Sequence, residues 1–218
     1  MRVKRQLFIT AMLALLCAPS AWADTTLTIT ADHTDCKVTP PDDVADVVEP
    51  SAAAGSAAMT NKNYAQARAN FRPLAAKGDA VGMRDYGMML MEDCTGLQDK
   101  AQGTSWLAKA ADAGDVIAQN RLAAAYLNGQ GITEDDAKAF DLYGKAAATG
   151  NADAQEQLGY LYLSGRGIAA PDRYQGMVWS VKAGEQGNPF ALINIAQAYF
   201  KGTALPQDSD NAAYYMFV

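Results

Sequence analysis

The stretch "ATGNADAQEQLGYLYLSGRGI", residues 148–168, joins a Gly-Asn pair, apolar side chains at helical spacing and a Gly-x-Gly in one segment. Gly150-Asn151 reads as a stop followed at once by a start. Glycine tolerates the left-handed backbone that ends a helix, and asparagine offers a side-chain acceptor to the free N–H groups of the next one. Leu158 and Tyr162 then share a face one turn apart, with Gly159 beside them to let a neighbouring helix approach closely. Gly165-Arg166-Gly167 follows the helix, not a strand, and neither a third glycine at dinucleotide-binding spacing nor a Gly-Lys-Ser/Thr accompanies it. It is therefore a turn between helices rather than a phosphate cradle, which leaves Arg166 free for solvent or for a partner.

Three further segments repeat this pattern: "AKGDAVGMRDYGMMLM" (76–91), "DAGDVIAQNRLAAAYLNGQGI" (112–132) and "EQGNPFALINIAQAYFKGTAL" (185–205). Their anchors, Gly78-Asp79, Gly114-Asp115, Gly150-Asn151 and Gly187-Asn188, recur at 36, 36 and 37 residues. Tyr86, Leu122, Leu158 and Ile195 occupy one offset from the anchor, Gly87, Ala123, Gly159 and Ala196 the next. A second helix precedes each later anchor, with a small residue (Gly103, Ala139, Gly176), a bulky one (Trp106, Leu142, Trp179) and a lysine (Lys109, Lys145, Lys182) at fixed places. "NKNYAQARANFRPLAAKG" upstream has the same look, and "EPSAAAGSAAMT" before it reads as a degenerate capping helix. No single pair of helices can bury its own apolar face, so stacking must do it.

The pattern AxxxLGxLYxxGxGI…KAAxxG, specific where Ala154, Leu158, Gly159, Tyr162, Gly165, Gly167 and Lys182 stand together, resembles the Sel-one-like repeat (SLR) family, relatives of the tetratricopeptide repeat. The resemblance covers roughly Ala52 to Val218. It implies an all-α, right-handed α-solenoid of stacked antiparallel helix pairs, about four to five of them. By analogy with tetratricopeptide repeats, a concave face lined by the first helices would bind a partner. Position by position this gives Arg84 and Met88, Asn120 and Ala124, Glu156 and Tyr160, then Ile193 and Gln197, with Phe190 and Phe200 flanking the last pair. With Met88, Tyr160 and Ile193 outward, this surface is more apolar than solvent requires, which points to a protein or peptide partner.

The N-terminus carries Arg2, Lys4 and Arg5, an apolar run from Leu7 to Leu16 and an Ala21-Trp22-Ala23 cleavage pattern, which reads as a secretory signal peptide over residues 1–23. Leu16 before Cys17 argues against a lipobox. Residues 24–50 form an irregular arm and 51–218 the repeat domain, whose last pair stops in mid-helix at "NAAYYMFV" and reads as truncated. Export, with periplasmic placement, makes Cys36 and Cys94 a disulfide pair, with two free thiols or an intermolecular bridge as the rival. Such a bridge contributes about 4 kcal/mol on the chain-entropy account.

Eighteen Lys and Arg face 24 Asp and Glu, a formal charge of −6, and an acidic chain with scattered charges argues against the basic stripe of a nucleic-acid binder. No later segment is apolar for long enough to insert in a membrane. His33 is the only histidine. Asp32, His33, Asp35 and Cys36 sit too close together in an extended arm for a tetrahedral metal site, and no nucleophile–base pair or cofactor motif is present. "TEDD" (133–136) and "QDSD" (207–210) precede helices and read as caps rather than catalytic carboxylates. The expected role is therefore a non-enzymatic scaffold or adaptor with no cofactor. An immunity protein against a rival's secreted toxin is the alternative, and a carboxylate-dependent cell-wall hydrolase a second.

Overall fold

A computed structural model of the chain describes residues 49–92, 98–202 and 205–217, all within one compact unit, Cys36–Val218. The signal peptide, His33 and its neighbours, Cys36 and Cys94 lie outside the described residues, as does all of the arm before Glu49. Among the described residues there are ten helices and no strand: α1 Ala52–Thr60, α2 Tyr64–Ala76, α3 Ala80–Met91, α4 Lys100–Asp112, α5 Val116–Asn128, α6 Asp136–Ala148, α7 Ala152–Ser164, α8 Arg173–Glu185, α9 Pro189–Lys201 and α10 Ser209–Phe217. Each helix packs on the next in chain order, making five successive pairs of an α-solenoid.

The anchors act as their chemistry dictates. Asp79, Asp115, Asn151 and Asn188 each accept a hydrogen bond from the backbone N–H three residues on, at 2.7, 2.8, 2.8 and 3.0 Å. The glycine before each has a φ of 80, 88, 94 or 81°, the left-handed turn that closes the preceding helix. The Asp79, Asp115 and Asn188 N–H groups reach back to the carbonyls of Leu74, Ala110 and Ala183, which completes the helix stop without a spacer residue. "TEDD" and "QDSD" also supply caps: Asp135 accepts from the Lys138 N–H, and Asp208 from those of Asp210 and Asn211.

Within pairs, small residues set the helix spacing. A Cβ on Gly87 would stand 2.9 Å from the Gly103 carbonyl and one on Gly103 2.9 Å from the Gly87 carbonyl; Gly159 and Gly176 repeat the arrangement at 3.0 Å. Ala123 and Ala139 occupy the same places in the third pair, both fully buried.

Between pairs, the second glycine of each Gly-x-Gly seats the turn on the previous pair. A Cβ on Gly131 would run into the Lys100 carbonyl and one on Gly167 into that of Asp136. Lys100 and Asp136 open α4 and α6, so each turn rests on the start of the preceding pair's second helix. Arg166 is not free, contrary to the expectation from sequence. Its Nε donates to Asp136 Oδ2 at 2.9 Å and its Nη2 to Asp136 Oδ1, Glu134 Oε1 and the Leu127 carbonyl at 2.5, 3.0 and 3.2 Å.

The repeated lysine of the second helices has a local use. Lys109 Nζ lies 4.0 Å from the Trp106 ring centre and Lys182 Nζ 4.1 Å from that of Trp179, the cation over the ring face.

The apolar core falls into three clusters. The first runs from α1 to α5 around Phe71, Met89 and Leu107, and the second from α5 to α7 around Tyr143, Leu158 and Leu161. Tyr126 and Leu142 pack against both and join them. The third, Met177, Ile195 and Ala198 with Leu163, Tyr199, Leu205 and Tyr215 against it, shares no described residue with the second. Near this break Ser180 stands where the earlier pairs place Leu107 and Tyr143, fully buried and with no hydrogen-bond partner for its hydroxyl. A buried leucine contributes about 2 kcal/mol; Ser180 contributes none of that and leaves an unpaired polar atom behind.

Candidate functional site

The first helices α3 and α5, and again α7 and α9, are bridged side by side through their side chains. Arg84 Nη1 on α3 donates to the α5 cap Asp115 at 3.1 Å, while its Nε donates to Asp85 at 2.7 Å. On α7, Asp153 accepts from Asn188 Nδ2 at 3.1 Å and Glu156 from Asn194 Nδ2 at 3.3 Å. Positions at i, i+3 and i+7 of one helix share a face. On α7 these are Asp153, Glu156 and Tyr160; on α9, Phe190, Ile193 and Gln197.

Three of the expected residues present large apolar surface there: Phe190 is 58 %, Tyr160 45 % and Ile193 39 % exposed. The others differ. Arg84 is half-buried and tied up in its two ion pairs. Burial pulls its pKa down, but the hydrogen bond to Asp85 and the charges of Asp85 and Asp115 together outweigh that and raise it. Met88 packs partly against the first core cluster and Ala124 against the second. Asn120, Gln197 and Phe200 are half-buried.

Glu156 is buried instead of exposed, only 7 % accessible. Burial pushes its carboxyl above the usual range, hydrogen bonds from Gln157 and Asn194 pull it partly back, and Asp153 nearby raises it again. The Tyr143 phenol beneath is raised as well, first by its own burial and then by the Glu156 charge.

Ile117, 45 % exposed, belongs to the same face and was missed in the sequence. The signal was available, since Ile117 follows Gly114 by the offset that separates Phe190 from Gly187. Among the described residues no group of three or more His, Cys, Asp or Glu is placed to hold a metal ion. No helix among them is long and apolar enough to cross a membrane.

Against known proteins, the Sel1 repeat family model matches residues 80–115, 116–151, 152–188 and 189–217. No curated protein matches the chain. A solved Sel1 repeat protein from Oxalobacter formigenes is 27% identical, with a TM-score of 0.70, covering 76% of this chain and 67% of that one. A protective antigen present in uropathogenic Escherichia coli strains, displaying an SLR fold, is 30% identical with a TM-score of 0.62. That match covers 66% of this chain and 31% of the antigen, so the chain spans under a third of its length.

Proposed function

The chain belongs to the Sel1 repeat family, a fold that generally serves as a protein–protein interaction scaffold, and on that premise we propose that it is an exported, non-enzymatic adaptor. It docks a protein or peptide on the face of its first helices. The observation that carries this reading is the apolar surface formed by Tyr160, Phe190 and Ile193. Burial in a helix core would remove these side chains from water; on this face a docked partner would do so. The basic start, short apolar run and Ala21-Trp22-Ala23 of the N-terminus support export, and the periplasm is the proposed compartment.

A photo-crosslinking amino acid placed at Tyr160 or Phe190 in cells tests the docking face. A discrete adduct from these two positions is expected, and none from Tyr174, which is 75 % exposed on the second helix α8. Adducts from Tyr174 alone overturn the assignment of the face. Fractionation with N-terminal sequencing of the mature chain tests export, and a chain recovered from the cytoplasm with residues 1–23 intact refutes it.

A further inference from the structure

The other two described seams between first helices or their turns pair acids with an arginine. Arg84 pairs with Asp85 and Asp115, and Arg166 with Glu134 and Asp136, one cation to two carboxylates in each case. At the seam of α7 with α9 the acids are Asp153 and Glu156, and their partners are carboxamides: Asn188 and Asn194, with Gln157 donating to Glu156 Oε2 at 2.7 Å. Among the described residues no Lys or Arg pairs with either acid. Arg121, on α5, and Glu156 act on the Tyr143 phenol in opposite senses, and Arg121 forms no ion pair with Glu156. Carboxamides satisfy the oxygens and leave the charge in place.

This negative charge, in no ion pair among the described residues, lies among the exposed apolar side chains. Tyr160 follows Glu156 by one turn on α7, Phe190 lies two residues after Asn188, and Ile193 adjoins Asn194. We infer that the α7–α9 face takes an extended segment of a partner protein that sets a lysine or arginine beside aromatic or aliphatic side chains, the cation meeting Asp153 and the rim of Glu156 and the apolar groups meeting Tyr160, Phe190 and Ile193. The inference rests on the docking reading above and adds to it the chemistry of the partner. Charge complementarity selects the occupant, because an acidic segment would be repelled and a neutral one would leave the two carboxylates without a counter-charge. Tyr160 offers the cation a ring face as well.

A random-peptide display library panned on the full chain tests this, with parallel selections on three variants. Recovered peptides are expected to be enriched several-fold in Lys or Arg next to apolar residues. Asp153→Asn/Glu156→Gln should abolish the basic enrichment and weaken a recovered peptide about three- to tenfold, while the apolar preference persists. Asp153→Asn alone, which leaves the buried carboxyl in place, should reduce the basic enrichment in part. Asp112→Asn/Asp141→Asn removes the same charge at exposed positions on second helices and should leave selection unchanged. Apolar peptides without basic bias, or a bias lost equally with Asp112→Asn/Asp141→Asn, overturn the inference and leave the docking reading standing. Recovery of no peptide above the empty support overturns both.

Discussion

Arg166 in the turn after α7 and Asp136 at the start of α6 are joined by two hydrogen bonds, Nε to Oδ2 at 2.9 Å and Nη2 to Oδ1 at 2.5 Å. The two residues lie in successive pairs, and this fork fastens the turn to the start of the preceding pair's second helix. Both side chains are about a third exposed, so solvent screens the pair and its contribution is modest. Arg166→Ala should cost about 1 kcal/mol in urea unfolding, with the loss shrinking in high salt. Arg166→Lys should recover little of it, since an ammonium cannot bridge both carboxylate oxygens. Full recovery by lysine would show that charge alone is at work.

Gly167 combines a φ of 77° with a turn that rests on the Asp136 backbone. Alanine there meets both the strain of the left-handed region and a clash with a carbonyl. Gly167→Ala should lower stability by about 2 kcal/mol or more. Gly144 is the contrast: it lies inside α6, and an added Cβ would meet nothing within 4 Å. Gly144→Ala should raise stability by up to about 1 kcal/mol. Thermal melts of the two variants with opposite signs are the expected result.

Ser180 buries a hydroxyl that finds no partner. Removing a buried unpaired polar group is neutral or favourable, so Ser180→Ala should hold or gain up to about 1 kcal/mol. Filling the site is a different matter, because Gly159 packs so tightly that a Cβ there would lie 2.8 Å from Ser180 Oγ. Ser180→Leu should therefore destabilise by about 1–3 kcal/mol through overpacking, although leucine fits the equivalent place in α4. A loss on Ser180→Ala would reveal a hydrogen bond to water.

The buried Glu156 carboxyl faces Asp153 and Gln157 on its own helix, Tyr143 from α6 and Asn194 from α9. Burial holds its proton more tightly in the folded chain than in the unfolded one, where the ordinary value is 4.5. Its contribution to stability is thus present below the ordinary value and is lost as pH rises through the raised one. Glu156→Gln, which mimics the protonated form, should be more stable than the parent at neutral pH. The difference should close below pH 4.5 in parallel urea titrations. A difference that does not change with pH would place the cause in packing rather than in the charge.

What the sequence by itself determined was everything that depends on neighbours along the chain. Gly78-Asp79 and its three copies specify a helix stop and start from backbone and side-chain chemistry within a few residues, so the period, the caps and the helix order were legible. The small residues Gly87, Ala123, Gly159 and Ala196 likewise marked the buried face. The candidate surface was legible only in part. Tyr160, Phe190 and Ile193 are exposed, but the same helical phase placed Glu156 outward, and it is buried with its oxygens held by Gln157 and Asn194. Only the tertiary structure decided which carboxylates meet an arginine and which a carboxamide, that Arg166 clamps Asp136, and that Ser180 is left without a partner. Those outcomes join helices 30 or more residues apart, or depend on how closely two backbones cross. A repeat period sets which positions adjoin but not which side-chain chemistries meet there.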